Sequence, residues 1–217
     1  MNKLITLEES VSKVKDGMSI MVGGFLAVGS PCKIIDGLVE KGIKDLTIIC
    51  SDTSYVDRGV GKLVVNNQVK KVITSHIGTN AETGRRMNAG ELDVELVPQG
   101  TLAERIRCGG AGLGGFLTPT GIGTIVEEGK EKFTVDGKEY ILEKPLKADI
   151  AIIFGSKVDT RGNVYYNYST RNFNPLMATA ADMVIVEAES LAEVGEIDPN
   201  HVMTPGIFVD YIVKEDK

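Results

Sequence analysis

The sequence predicts an α/β protein with an open, mostly parallel sheet sandwiched by helices, a β-hairpin in the second half, and a single domain spanning residues 1–217. In the first half, short apolar runs alternate with helical patterns, as they do in a parallel sheet. In the second half, the apolar runs at residues 151–154 and 184–186 are continuous, which is typical of strands buried on both faces. No linker, repeat or shift in composition divides the chain.

The first strand–helix unit has clear start and stop signals. A Thr-Leu-Glu-Glu capping box at Thr6 predicts a short first helix. Residues 18–22 form an apolar run that predicts a buried strand. The following helix is expected to start with Ser30 as N-cap and Pro31 in the first helical position, and to end at Gly42.

Three more strands are expected in the first half, at residues 46–50, 72–74 and 94–97. Capping boxes that begin at Thr79 and Thr101 predict the helices on either side of the last of these strands. Strands and helices therefore continue to alternate.

The second half contains a hairpin signal. Residues 132–142 are typical of two short strands on either side of Asp136 and Gly137, a pair that favours a two-residue type I′ turn. Residues 159–163 are rich in turn formers and precede a short predicted strand at residues 164–166.

The composition excludes several classes of protein. A net charge of −6 argues against a nucleic-acid binder, which normally carries a basic face. Cys32, Cys50 and Cys108 form no Cys-x-x-Cys pair, which suits a reducing compartment and gives no metal cluster. The amino-terminal segment lacks the apolar region of a secretory signal, and no run approaches the ~20 apolar residues of a membrane span. We therefore expect a cytoplasmic protein that binds no nucleic acid, membrane or metal.

The most informative segment lies between the first predicted strand and the helix after it. We call it the glycine loop, and its residues are Gly23, Gly24, Phe25, Leu26, Ala27, Val28 and Gly29. A strand, a glycine loop and a helix N-terminus in succession present backbone N–H groups to an anion or an oxyanion. The alternative is a tight strand–helix turn that binds nothing.

Several polar residues directly follow predicted strands, at the edge where open α/β sheets bind ligands. Gln99 lies between a strand end and a predicted helix, where a neutral amide can donate to a developing oxyanion; the alternative is an amide that only ties down the turn. Ser51 and Asp52 follow another strand, but no histidine lies nearby in sequence to activate the Ser51 hydroxyl. Glu187 and Glu189 could do acid–base work, although a salt bridge at the rim of the sheet is the interpretation we favour.

Two further features are weaker candidates. Residues 110–115 match G-x-G-x-x-G, but they follow a predicted helix, whereas a dinucleotide-binding loop must follow a strand. The wider glycine run at residues 109–123 is expected to be an ordered loop that lines the site. His76 and His201 are isolated, without a third ligand at metal spacing, so each is expected to be structural.

Taken together, six motifs resemble the alpha subunits of family I CoA-transferases, of the 3-oxoacid and acetate/butyrate–acetoacetate type. The motifs are DGMSIMVGGFLAVGSP at residues 16–31, HIGTN at 76–80, PQGTLAER at 98–105, GGAG at 109–112, TPTG at 118–121 and RNFNP at 171–175. They occur in this order and span nearly the whole chain. The resemblance implies an open α/β sheet sandwiched by helices.

In that family the reaction is ping-pong and covalent. A glutamate attacks the acyl-CoA thioester, and a mixed anhydride and then a glutamyl-CoA thioester follow before an incoming carboxylate collects the CoA. The glutamate lies in a Ser-Glu-Asn-Gly motif of the beta subunit, and that motif is absent here. The resemblance therefore implies no catalytic nucleophile in this chain. It implies an enzyme that is active only with its beta subunit, in a heterotetramer or larger complex.

The resemblance gives supporting roles to residues of this chain. The glycine loop matches the segment that binds CoA, and Gln99 matches an amide that faces the acyl group. Many alpha subunits carry two asparagines where this chain has Ser51 and Asp52, and an aspartate there would repel a carboxylate substrate unless it is neutralised. CoA is expected as a substrate, with no permanently bound cofactor.

The expected function is that of an alpha subunit which helps to move CoA between acetoacetyl-CoA, or another short acyl-CoA, and a short-chain carboxylate such as acetate or butyrate. One alternative is the alpha subunit of a succinyl-CoA:3-oxoacid or 3-oxoadipate CoA-transferase. Another is a sugar-phosphate isomerase-like enzyme or a nucleotide-binding oxidoreductase that uses the glycine loops for phosphate. A third is a non-catalytic sensor of acyl-CoA.

Overall fold

The computed structural model describes residues 3–214. The α-helices are α1 (Leu7–Ser12), α2 (Cys32–Lys41), α3 (Gly61–Val65), α4 (Ala81–Asn88), α5 (Gln99–Gly110) and α6 (Asn174–Met177). The strands are β1 (Ser19–Val22), β2 (Leu46–Cys50), β3 (Val69–Thr74), β4 (Asp93–Leu96), β5 (Phe116–Thr118), β6 (Lys132–Val135), β7 (Lys138–Glu143), β8 (Ala148–Gly155), β9 (Lys157–Asp159), β10 (Val164–Tyr165), β11 (Ala181–Ala188), β12 (Leu191–Ala192) and β13 (Tyr211–Lys214).

Seven of these strands form the main sheet, in the order β13-β11-β8-β1-β2-β3-β4. Every neighbouring pair in this sheet is parallel, so the predicted open, mostly parallel sheet is confirmed. Because all seven strands run the same way, the segments that follow β1, β2, β3 and β4 emerge at one edge of the sheet.

Helices cover both faces of the main sheet. Successive residues of a strand point to opposite faces, so Ile20 and Val22 join one core cluster while Met21 joins the other. The first cluster includes side chains of α1, α2 and α3, and the second includes side chains of α5 and α6. This double burial explains why the strand sequences read as continuous apolar runs.

Two small sheets complete the fold. One has the order β5-β7-β6 and contains the predicted hairpin, in which β6 and β7 pair antiparallel. Asp136 and Gly137 both have positive φ, +51° and +75°, as the predicted type I′ turn requires. The other sheet has the order β10-β9-β12. No helix in the described part of the chain is long and apolar enough to span a membrane.

The first two helix starts agree only in part with the sequence. The capping box at Thr6 is present, because its side chain accepts from the Glu9 N–H and the Glu9 carboxylate accepts from the Thr6 N–H. The expectation that Ser30 caps α2 is wrong, since Pro31 holds the N-cap position and α2 begins one residue later. The Ser30 hydroxyl instead donates to the Gly23 carbonyl, at 3.0 Å.

The next two helix starts differ as well. Asn80, and not Thr79, caps α4, because its side chain accepts from the Thr83 N–H at 3.2 Å. The predicted capping box at Thr101 is wrong: Pro98 is the N-cap of α5, and Thr101 already lies in the first turn. At α4 a neighbouring residue makes the capping bond, whereas α2 and α5 start after Pro31 and Pro98, which make no side-chain capping bond.

Candidate functional site

Four neighbouring strands bring the predicted site residues to one edge of the main sheet. The glycine loop follows β1, Ser51 and Asp52 follow β2, and Ser75 follows β3. Gln99 is the first residue of α5, just beyond β4. Residues that were far apart in sequence are therefore adjacent at the carboxyl edge, which is where open α/β sheets bind ligands.

The glycine loop contains a tight turn that we call the left-handed turn, residues 25–28. Phe25 and Val28 exchange two backbone hydrogen bonds, of 3.1 and 2.9 Å. Between them, Leu26 and Ala27 have φ values of +50° and +67°, the positive φ pair of a type I′ turn. Residues other than glycine adopt this conformation at a cost of about 1–2 kcal/mol each. The turn therefore needs hydrogen bonds from other parts of the chain to stabilise it.

Asp52 makes one of these bonds. Its side chain is buried, its Oδ1 accepts from the Leu26 N–H at 3.0 Å, and its Oδ2 accepts from the Ser54 N–H at 2.6 Å. Burial raises the pKa of this carboxyl group, while the two backbone hydrogen bonds and the nearby His76 act in the opposite direction. Both carboxylate oxygens are therefore engaged by backbone N–H groups of the segments that follow β1 and β2.

Two asparagines from the far end of the chain make the others. Asn172 accepts from the Gly24 N–H through Oδ1 and donates to the Val28 carbonyl through Nδ2, each at 3.0 Å. Asn174 donates to the Gly29 carbonyl at 2.9 Å. Both belong to the RNFNP motif at residues 171–175, which stood out in the sequence only because it resembles a motif of a known family. These holding residues were missed because nothing local in the sequence connects them to the glycine loop.

The glycines of the loop are required by close contacts. A Cβ atom on Gly23 would lie 1.7 Å from Oδ1 of Asn174, and one on Gly24 would lie 1.8 Å from Oγ of Ser30. Gly24 and Gly29 also have positive φ, +115° and +67°. The loop is therefore built to one shape by its neighbours.

The start of α2 does not present its first N–H groups to a ligand. The buried carboxylate of Glu187 accepts from the Lys33 N–H at 3.2 Å and from the Ile34 N–H at 2.8 Å. This finding corrects two expectations. The first N–H groups of α2 are capped by a side chain of this chain, and Glu187 is buried, at 1% exposure, and does not lie at the exposed rim of the sheet. Glu189 lies beyond the end of β11 and is exposed.

Two backbone donors of the loop remain. Among the residues that the structure describes, the N–H groups of Ala27 and Gly29 have no hydrogen-bond acceptor. The side chains of Phe25 and Val28 are 42% and 47% exposed. The loop thus has one N–H donor without an acceptor at the half-buried Ala27, beside an apolar surface, and a second at the buried Gly29.

The Gln99 side chain lies between the ends of β2 and β3. Its Nε2 donates to the Ser51 Oγ at 3.3 Å, and its Oε1 accepts from the Ser75 hydroxyl. Gln99 is exposed, and its position past the end of β4 is the predicted one, although it begins α5 and does not precede it. The Gln99 Nε2 carries two hydrogens, and the second has no acceptor within residues 3–214. The amide can therefore hold the strand ends together and still donate to a ligand.

Cys50, which ends β2, is not a nucleophile in this arrangement. Burial, and then the charge of Asp52, raise the pKa of the Cys50 thiol to about 12. The thiol therefore stays protonated at neutral pH, and only a thiolate is strongly nucleophilic.

Of the remaining candidates, His76 lies beside this arrangement, where it forms a parallel β-bridge with Asp52, whereas the glycine run and His201 belong to other elements. The glycine run at residues 109–123 is not a single loop, because α5 continues to Gly110 and β5 joins a small sheet. A Cβ on Gly109 would lie 1.8 Å from the Leu146 carbonyl oxygen, so this glycine permits close packing. The His76 backbone carbonyl accepts from Thr53, and His201 lies in a 3₁₀ helix. No group of three or more His, Cys, Asp or Glu side chains in the described residues could hold a metal ion.

A constrained glycine loop and a strand-end amide at the carboxyl edge of a parallel sheet are typical of open α/β proteins that bind a ligand at this edge. The chain belongs to the coenzyme A transferase family, whose model matches residues 4–215. This confirms the resemblance seen in the sequence and decides against the sugar-phosphate isomerase and oxidoreductase alternatives.

Curated relatives match along nearly the whole chain. The acetate CoA-transferase subunit alpha of Escherichia coli is 58% identical over 211 residues, which are 97% of this chain and 96% of that protein. The acetoacetyl-CoA:acetate/butyrate CoA transferase alpha subunit of Clostridium acetobutylicum is 56% identical over 214 residues, which are 99% of this chain and 98% of that protein.

A solved structure shows the same fold. An acyl-CoA transferase from Escherichia coli O157:H7, in a thioester complex with CoA, superposes with a TM-score of 0.88 at 22% identity. The match covers 99% of this chain and 47% of that one, so this chain spans about half the length of that protein.

The packing around the glycine loop leads to a prediction for Gly23→Ala. The added methyl group displaces Asn174, which is buried and loses its bonds to the loop, so the free energy of unfolding should fall by about 1–3 kcal/mol. The matched control is Gly84→Ala in α4, where a Cβ meets no atom within 4 Å and should stabilise the helix by about 0.5–1 kcal/mol. Denaturant unfolding of both variants measures their free energies of unfolding. Equal effects of the two substitutions would contradict the account of the loop.

Proposed function

We propose that this chain is the alpha subunit of a heteromeric CoA-transferase that moves CoA between acetoacetyl-CoA, or another short acyl-CoA, and a short-chain carboxylate such as acetate or butyrate. The observation that carries this proposal is full-length similarity above 50% identity to two alpha subunits whose names state such transfers. The pinned glycine loop at the carboxyl edge of the sheet supports it.

The reaction would proceed in ping-pong fashion on a glutamate of the beta subunit. That carboxylate attacks the thioester carbonyl carbon, and the CoA thiolate leaves to give a mixed anhydride. The thiolate then attacks the glutamyl carbonyl, which releases the first carboxylate and leaves a glutamyl-CoA thioester. The second carboxylate reverses these steps and departs with the CoA. Each addition passes through an oxyanion, which preorganised donors stabilise.

This chain would supply binding and donor groups. The residues that bind CoA would be Gly23, Gly24, Phe25, Leu26, Ala27, Val28 and Gly29. The unused N–H of the half-buried Ala27 is available to a polar atom of CoA, and the exposed side chains of Phe25 and Val28 are available to its aliphatic arm. The remaining Nε2 hydrogen of Gln99 would be donated to the oxyanion or to the acyl oxygen.

The beta subunit would complete the site by covering this edge. Phe25, Val28 and Val56 are exposed apolar residues there, and a covered apolar surface is typical of a subunit interface. We infer a heterotetramer or larger complex in which residues 1–217 act as one subunit domain. We also infer a cytoplasmic location and CoA that comes and goes as substrate, without a resident cofactor.

The proposal predicts activity that neither subunit has alone. The chain should be expressed with and without a CoA-transferase beta subunit from the same host, and acetyl-CoA formation from acetoacetyl-CoA and acetate should be measured. Succinate and 3-oxoadipate serve as alternative acceptors that separate the related transferases. Transfer by the mixture alone is expected. Full activity of the isolated chain, or tight binding of acyl-CoA without a partner and no transfer with one, would contradict the proposal.

Gln99→Ala tests the role of the amide. In the assembled enzyme, loss of an oxyanion donor should lower kcat by about 10²–10³-fold and change KM much less. Ser75→Ala is the matched control, because it removes the hydrogen bond that holds the amide while the amide itself remains. We expect Ser75→Ala to lower kcat by less than about tenfold. Equal losses in the two variants would mean that Gln99 only ties down the strand ends.

A further inference from the structure

Another bridged turn lies beside the left-handed turn, in the segment that follows the next strand. We call residues 55–58 the second turn. In both turns the first and fourth residues form an antiparallel bridge, and a glycine at positive φ follows, Gly29 at +67° and Gly59 at +56°. A Cβ on Gly59 would lie 3.4 Å from the Cβ of Ala27, so the two turns are packed against each other.

One carboxylate connects the two turns. The Oδ1 of Asp52 accepts from Leu26, and its Oδ2 accepts from Ser54, which directly precedes the second turn. Leu26 and Ser54 have φ values of +50° and +55°, so each oxygen holds a residue that is not glycine in the left-handed region. The Asp52 side chain lies in the interior, at 4% exposure.

We propose that Asp52 is a positioning residue, which fixes the left-handed turn to the second turn in the shape that binds acyl-CoA. This inference rests on the proposed function. Asp52 acts through Leu26 and Ser54 and does not touch the substrate, because its two oxygens are bonded to the backbone beneath the turns. Substitution of Asp52 should therefore weaken the binding of acyl-CoA, whereas substitution of Gln99 should lower turnover.

The test uses the complex of this chain with its beta subunit. Asp52→Ala removes both acceptors, so the loop loses its shape, and KM for acetoacetyl-CoA should rise by about tenfold while kcat changes by less than about threefold. Asp52→Asn keeps the volume and one acceptor oxygen, and KM should rise by about threefold. Thermal unfolding and gel filtration check that each variant is folded and assembled. If Asp52→Ala does not fold, the KM of the Asp52→Asn variant tests the proposal.

Asp149→Asn is the matched control. The Asp149 carboxylate also accepts from β1, through the Ser19 N–H at 2.7 Å and the Ser19 hydroxyl at 2.6 Å. Because this bond is at the amino end of β1, at the opposite edge of the sheet from the glycine loop, KM and kcat should both remain as in the unmodified enzyme.

The outcomes separate the two proposals. An unmodified complex without CoA transfer would contradict the proposed function. An active complex in which both Asp52 variants keep the original KM would overturn the positioning role alone. A large fall in kcat with unchanged KM would also overturn it, because Asp52 would then act on the chemical steps.

Discussion

The site depends on a stretch of backbone that its own residues do not favour. Leu26 and Ala27 both have positive φ, and neither is glycine. The conformation persists because Asp52 and two asparagines bond to the backbone on both sides of it. The flanking glycines then allow these holding side chains to approach closely. Strain of this kind is found where a loop must have one shape for a ligand.

The need to hold this backbone conformation is consistent with separate roles for the two subunits of the proposed complex. A parallel sheet brings four strand ends to one edge, and side chains from that edge and from residues 172–174 hold the loop. None of the groups described there is a nucleophile activated for attack: the Asp52 carboxylate is engaged by two N–H groups, and the Cys50 thiol has its pKa raised by burial. In the proposed complex, this chain would supply shape and hydrogen-bond donors, and the beta subunit would supply the reactive glutamate.

The sequence was sufficient for six of the seven strands of the main sheet, the hairpin and the location of the glycine loop and Gln99, because each has a local signal; it did not predict the edge strand β13. It was not sufficient for the groups that hold the loop. Asn172 bonds to Gly24 across 148 positions, and Glu187 caps α2 from 154 positions away, so no local pattern connects them. The capping errors at Ser30 and Thr101 have a related cause. The Ser30 hydroxyl has a tertiary partner, and α5 starts at Gln99, two residues before Thr101.

Amide hydrogen exchange in the isolated chain tests the central claim most directly, because it reports individual N–H groups of the loop. If this chain alone holds the left-handed turn, the N–H groups of Gly24 and Leu26, which are donated to Asn172 and Asp52, should exchange slowly. The N–H of Ala27, which has no acceptor within residues 3–214, should exchange rapidly. Exchange of Leu26 as fast as that of Ala27 would show that the turn is not formed before the partner binds, and would contradict the account.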